Sequence, residues 1–339
     1  MHRTFRSPIP YFPILLVIVL VASVGCRGAK PIQKELVLYS DPDLEMSDRV
    51  TPRFTRETSI KLNQIQSQGS GSTTFDRIIA EQGQPKADVY WSSDPIYCEI
   101  LRQRGFTTPS RPQSQIPAAF RDKDQHWTGL AARARVLLVG KELGSGRPRS
   151  IRAYADPAWH GKGALADPLR GRTRSHFAAL GAIWGDEELA IFYHALLKNE
   201  TRITKDTRES AQLVTAGKAA FAVVDLDDAL VEVEKGKVEI VYPDQGDNEP
   251  GALFIPGAVT IMKSCKEQEA AQKFVEFLTG AESELRIVRF APYLVPLQAG
   301  VAKFSIRARS PETLRSSRFD YGVAAQKLLQ METILGLVK

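Results

Sequence analysis

Cysteine is scarce in this chain of 339 residues: it occurs three times, at Cys26, Cys98 and Cys265. No CxxC pair and no Cys/His cluster with zinc spacing is present. So few thiols build neither a disulfide framework nor a structural zinc centre. A single Cys98–Cys265 bridge is the one pairing left open. Long Lys or Arg tracts are also missing. The net charge is +6, and Arg3 and Arg6 of the N-terminal segment supply two of those charges. That balance does not indicate nucleic acid as a partner. No two of the nine tyrosines are adjacent. The stretch Gly69, Ser70, Gly71, Ser72 lacks the Lys-Ser/Thr pair of a nucleotide-binding loop, so no ATP site is expected. No nucleophile–base constellation, cofactor motif, internal repeat or low-complexity segment stands out. A binding protein is expected rather than an enzyme.

What is present is an ordinary globular composition, 43% hydrophobic and 25% charged. The length suggests two domains or one large one. The first 26 residues stand apart from the rest. His2, Arg3 and Arg6 make a basic start. Residues 11–24, YFPILLVIVLVASV, form an apolar core too short for a comfortable membrane span. It ends at Ser23, Val24, Gly25, Cys26. This resembles a bacterial lipoprotein signal, with Ser23 where Leu is usual, and Cys26 is then the lipidated residue. Plain cleavage and an uncleaved anchor are the alternatives. Each places the folded part outside the cytoplasmic membrane, and residues 27–34 read as a tether.

From residue 35 onward, strand, polar or Gly-rich turn and helix recur three times. The strands are residues 35–40, 60–66 and 87–91; the helices are 44–58 (interrupted by Pro52), 75–82 and one running through Arg102. That alternation predicts a parallel α/β sheet. Ligands of such sheets sit beyond the carboxyl ends of the strands, here Ser40 and Asp41, the stretch 69–72 and the turn 91–94. Residues 116–128 read as a surface connection. Residues 129–140, GLAARARVLLVG, form a strand long enough to leave one domain and enter another, and residues 252–262 provide a second crossing. Between them lies a second α/β unit with strands at 164–166, 219–224 and 238–242. Residues 319–337 read as one closing amphipathic helix.

The stretches LVLYS, PKADVYWSSDP, IPAAFRDKDQHWTGLAARARVLLV, YADPAWHGKGALADPLRGRTRSH, AAFAVVDLDDA, VYPDQG and FIPGAVTIMKSCKEQEAAQKFVEFL follow in this order over roughly residues 35–295. Together they resemble the extracytoplasmic solute-binding proteins of bacterial ABC importers, in the ferric-iron-binding-like branch with the type II periplasmic binding fold. The resemblance implies a mixed-sheet α/β protein of two lobes joined by two crossing strands, residues 35–128 with 257–300 and residues 129–256 with 301–339. It implies a monomer that closes on a small solute, delivers it to a membrane permease and needs no nucleic acid. A sensory module or an enzyme on the same fold is the alternative from another class.

Candidate ligand residues follow from the strand ends and from this resemblance. Gly69, Ser70, Gly71 and Ser72 offer converging backbone N–H groups, or simply a flexible turn. Ser40, Ser92 and Ser93 offer hydroxyls, and Asp94 either meets ligand or caps the helix before Pro95. Arg133 and Arg135 alternate on the crossing strand and share a face; they face the cleft or brace Asp residues. In the loop 163–176, Thr173 and Ser175 precede a helical run as N-cap residues, with Arg170, Arg172 and Arg174 around a helix N-terminus suited to an anion. The family branch often shows small hydroxyl residues there instead. His176 caps and packs, or touches ligand. Arg174→Ala is expected to abolish anion-induced stabilisation. Asp225, Asp227 and Asp228 bind a cationic group or cap the next helix. The resemblance also implies ferric iron as a transported ligand, which wants anionic oxygen donors. Where the branch characteristically supplies adjacent tyrosines, VDLDDA stands here, and Tyr242 is the single candidate. An anionic or zwitterionic organic solute, such as an organophosphate or phosphonate, is therefore the favoured ligand, and ferric iron the alternative.

Overall fold

The computed structural model describes residues 34–41, 44–66, 71–81, 84–304, 309, 311 and 313–337. The leader with Cys26, and Gly69 and Ser70 of the glycine-rich stretch, lie outside the described residues.

The first three units alternate as the sequence pattern demands: β1 (Lys34–Ser40), α1 (Leu44–Thr58), β2 (Ile60–Gln66), α2 (Gly71–Ala80), β3 (Val89–Ser92) and α3 (Pro95–Gln103). α1 continues past Pro52 as one helix. The carbonyl that proline leaves without a donor belongs to Asp48, which is exposed to water, so the interruption costs little. A two-residue strand, β4 (Thr107–Thr108), precedes the long β5 (Trp127–Gly140). Then come β6 (Gly163–Ala166), α4 (Gly171–Trp184), α5 (Asp186–Lys198), β7 (Arg202–Thr204), α6 (Thr207–Thr215), β8 (Phe221–Asp225), α7 (Leu226–Val233) and β9 (Val238–Val241). The chain returns through β10 (Phe254–Met262) to α8 (Gln268–Leu278), α9 (Ala281–Phe290), α10 (Ala299–Ala302), α11 (Tyr321–Leu329) and α12 (Met331–Ile334).

The strand order is β2-β1-β3-β10-β5-β8-β6-β7, with β4 on β10 and β9 on β5. β1, β2 and β3 are parallel, as are β6, β7 and β8; the central pairings involving β5 and β10 are antiparallel. β5 belongs to both halves. Its first part pairs with β10 and its last part with β8 and β9. The 14-residue run is apolar enough to be buried along nearly its whole length. The register between β5 and β10 slips at Pro256/Gly257, where proline cannot donate to the ladder. That irregularity falls midway along the crossing.

Each half packs its sheet under helices. Leu36, Leu38, Val50, Phe54, Val89 and Phe274 are fully buried in the first half, with Phe54 edge-on to Phe274 at 5.0 Å between ring centres. Val136, Leu138, Ala164, Ala222 and Val224 play the same part in the second. α11 packs against both α3 and α4, and Gln103 Nε2 donates to the Gly322 carbonyl at its start.

Two sequence expectations change, and the open question of a Cys98–Cys265 bridge closes. The segment 319–337 is two helices broken at Gln330, not one. The connection 116–128 is anchored rather than superficial, because Ile116, Phe120 and Trp127 are buried. Cys98 and Cys265 are both free and buried, in separate core clusters.

Candidate ligand-binding cleft

One wall of the cleft is made by the carboxyl ends of β1 and β3. Asp41 follows β1, and its amide donates to the Trp91 carbonyl at 3.0 Å. Its Oδ2 accepts from Tyr90 Oη at 2.7 Å, Ser93 N at 3.1 Å and Ser92 Oγ at 3.2 Å. Asp94 is the N-cap of α3: its Oδ1 accepts from Ile96 N at 2.9 Å, ahead of Pro95 at the first helical position. In each case one carboxylate oxygen is satisfied by this scaffold. The other, Asp41 Oδ1 or Asp94 Oδ2, is buried without a hydrogen-bond partner. Burial raises the pKa of both carboxyls, and neighbouring hydroxyl and amide groups only partly oppose it.

The facing wall is made by β5, β8 and the start of α4. Asp225 ends β8 and is buried. Its Oδ1 accepts from Arg135 Nη1 at 2.8 Å and its Oδ2 from Arg172 Nη1 at 2.9 Å. Burial disfavours the charge on Asp225, but Arg172 and Arg135 outweigh it and hold the carboxyl well below the usual range. Arg135 has no exposed surface. It also donates to Thr173 Oγ1 at 3.3 Å and sits 3.4 Å from His176 Nδ1. Burial, and then Arg135, keep His176 neutral by lowering its pKa. Arg133 makes a looser pair, 3.9 Å from Asp227 and 5.6 Å from the centre of the Tyr293 ring. Burial lowers its pKa, with help from the charge of Arg172. The Nε atoms of Arg133 and Arg172 are buried without a hydrogen bond, and the buried Ser175 hydroxyl lies beside Asp94.

These two walls enclose a cleft of about 140 Å³. Asp41, Ser92, Ser93 and Asp94 line one side and Arg133, Gly171, Arg172 and Ser175 the other. Leu130, Ala131 and Gly257 make the floor at the slipped register of the crossing strands, and Met46, Trp91, Tyr97, Ile287 and Leu294 add an apolar rim. A Cβ at Gly257 would stand 3.3 Å from the Ser92 carbonyl. The absence of a side chain therefore keeps the floor low.

The positions of the expected residues can now be stated. Ser93, Asp94, Arg133, Arg172 and Ser175 line the cleft. Ser92 does too, but its hydroxyl is engaged with Asp41 and Asp94. Ser40 is buried behind the wall, where its Oγ accepts from Gln64. Gly71 and Ser72 are the first residues of α2. Thr173 and His176 face Arg135, away from the cleft. Arg174 turns the other way and donates to the Leu328 carbonyl of α11 at 3.0 Å. Arg170 is exposed and pairs with Asp167. The N-cap assignment is corrected: α4 begins at Gly171, so Thr173 and Ser175 lie inside it. The turn before it is already closed by Asp167 Oδ1 on Leu169 N, and Gly171 takes a positive φ of 50°.

Two members of the acidic trio are accounted for, while Asp227 keeps a buried Oδ1 without a hydrogen-bond partner, outside the cleft lining. Asp225, Asp227 and Asp228 bring oxygens within 4.8 Å of one another. Arginines take both oxygens of Asp225, and Thr207 at 2.6 Å and Arg208 at 3.5 Å take Asp228. Tyr242 lies elsewhere, its hydroxyl accepting from Arg309 N at 3.2 Å. Sequence reasoning placed Asp41 at a ligand-facing strand end without making it a candidate ligand residue, and passed over Tyr97. Asp41 carried a usable signal, an acid directly after a strand end. Of the two alternatives read for Arg135, cleft or bracing of an Asp, the structure has the second, with Asp225 as the partner.

Comparison with known proteins gives a consistent family. The model of the family described as "Bacterial extracellular solute-binding protein" matches residues 39–288. "Iron uptake protein A1" of Synechocystis sp. is 25% identical over 323 residues, covering 88% of each chain. The "Putative 2-aminoethylphosphonate-binding periplasmic protein" of Salmonella typhi is 22% identical and covers 69% of each. A Trichodesmium protein solved in complex with iron and citrate ligands superposes with a TM-score of 0.76 at 20% identity, covering 89% of this chain and 98% of that one. That likeness shows the two-lobed fold.

Proposed function

This chain belongs to the family of bacterial extracellular solute-binding proteins, and from that premise we propose that it is the extracytoplasmic capture component of an ABC importer specific for a small organic anion. Organophosphates and phosphonates are the favoured classes. The two halves, residues 35–128 with 257–300 and 129–256 with 301–339, act as lobes that close over the solute. The closed form is presented to the permease, with Cys26 as the proposed lipid attachment point. No turnover is proposed.

One observation carries the ligand class: Arg172 Nε and Arg133 Nε are buried on one wall without a hydrogen bond, Arg133 Nε meeting only Asp227 at 3.9 Å, with the Ser175 hydroxyl beside them. Buried donors without acceptors are costly. An anion between them restores the missing bonds as charge-assisted ones. The uncapped first turn of α4, with Gly171 and Arg172 in the lining, adds backbone donors on the same side. Closure then follows from contacts that exist only when ligand joins the two walls.

A second reading, a ferric complex, is supported by the name of the Synechocystis relative and by the oxygens of Asp41, Asp94 and Tyr97 in the cleft. Against it, burial raises the pKa of the Tyr97 phenol and so favours its protonated form. Calorimetric titration of the metal-free protein separates the two. Saturable binding of alkyl phosphonates or phosphate esters without metal is the expected result. Binding of ferric ion with a tyrosinate charge-transfer band, and no binding of any organic anion alone, would overturn the proposal.

A further inference from the structure

The wall opposite the arginines asks for a charge of the other sign. Asp94 is 2% exposed and Asp41 9%. Each spends one oxygen on the scaffold and leaves the other buried and unpartnered in the cleft lining. Asp225, by contrast, has two guanidinium groups. Among the described residues neither Asp41 nor Asp94 has a salt bridge. The Ser175 and Thr74 hydroxyls lie beside Asp94 and Asp41 and support them in part, Arg172 reaches Asp94 through its field, and Asp41 adds repulsion. Two neighbouring carboxylates buried without a counter-ion are expensive to keep, and such groups in a cleft mark a functional site.

We propose that Asp41 Oδ1 and Asp94 Oδ2 form a subsite for an ammonium group, so that the transported solute is a short zwitterion held cation-first on one wall and anion-first on the other. This rests on the anion reading above and narrows it. The cationic partner anticipated for Asp225, Asp227 and Asp228 is thereby moved across the cleft, since Asp225 and Asp228 are engaged and none of the three lines the cleft. The apolar rim of Met46, Trp91 and Leu294 suits a few methylene groups between the two charges. Specificity comes from what is left unpaired. A plain anion satisfies the arginines but leaves both carboxylates buried and bare, a penalty that discriminates more sharply than a missing methylene does.

The test is calorimetric titration of the purified protein, in chelator-treated buffer at neutral pH, with 2-aminoethylphosphonate and with ethylphosphonate, which lacks the amine. The wild type is expected to bind the amino compound at least about 10-fold more tightly. Asp94→Asn and Asp41→Asn are expected to bring the two affinities within about threefold while retaining phosphonate binding. Asparagine preserves the acceptor that caps α3, and the second variant serves if the first fails to fold. Equal affinities in the wild type, or a preference that survives in both variants, would overturn the cation subsite while leaving the anion site standing. Binding of neither compound would overturn both. A preference that appears only when a divalent or ferric ion is added would assign the carboxylates to metal and overturn the ammonium subsite.

Discussion

Asp225→Asn isolates the buried charge centre of the second half. Asp225 sits 2.8 Å from Arg135 and 2.9 Å from Arg172, and Arg135 has no exposed surface. The substitution keeps size and shape but removes the negative charge. Arg135 is then left with Thr173 and a neutral His176 as partners, neither of which compensates a guanidinium. At an effective dielectric of about 20, each pair at roughly 4 Å between charge centres is worth about 4 kcal/mol before desolvation. Breaking a buried pair from one side costs about 3–5 kcal/mol in practice. The folded unit spans Ile32–Lys339. With an unfolding entropy near 2.1 cal/mol/K per residue over roughly 300 residues, each kcal/mol shifts Tm by about 1.6 °C. A fall of about 5–8 °C is therefore expected, with a matching loss in urea denaturation. The pH dependence has a definite sign. The folded pKa of Asp225 is depressed, so its contribution is present above the usual carboxylate range and is lost as pH falls through the folded value. Wild type and variant should therefore converge in acid. In a double-mutant cycle, adding Arg135→Met to Asp225→Asn should cost less than the sum of the single changes. A loss under about 1 kcal/mol at pH 7, or strict additivity in the cycle, would refute the view that this carboxylate compensates the two arginines.

Three further outcomes are expected. Arg174→Ala, which removes the donor to the Leu328 carbonyl, should cost about 1 kcal/mol in denaturation and leave ligand-induced stabilisation unchanged. That outcome reverses the expectation drawn from the sequence. Asp244→Asn should raise stability at pH 7 by about 1–3 kcal/mol, because burial pushes the Asp244 carboxyl up to about 6 and its charged form is penalised only in the folded state. The advantage should shrink as pH falls from 6 toward 4, and denaturation at both pH values checks it. Gly171→Ala, at φ 50° with no neighbour within 4 Å of the added Cβ, should cost about 1 kcal/mol from backbone conformation alone, measurable by the same denaturation.

Much of the fold was legible because its signals are local. Alternating strands and helices, the Pro95 start of α3 and the apolar length of the 127–140 crossing follow from propensity and burial period. The break at Gln330 was not legible, since an amphipathic pattern carries across a turn that packing interrupts. The site divided along the same line. Ser93, Asp94, Arg133, Arg172 and Ser175, singled out from a strand end, the crossing strand and the basic loop, all line the cleft. Their orientation was not legible.

The sequence by itself determined an exported two-lobed α/β binding protein, with a basic helix start in one half and hydroxyl and acidic strand ends in the other. Only the tertiary structure decided how the charges pair. Arg172 and Arg174 are two residues apart, yet helical geometry points one toward Asp225 at the cleft and the other toward α11. Asp225 and Asp94 both stand at strand ends, yet one is enclosed by guanidinium groups and the other keeps one oxygen without a hydrogen bond. Chain position fixes which groups exist, but whether a charge is satisfied or waiting for a ligand depends on neighbours dozens of residues away.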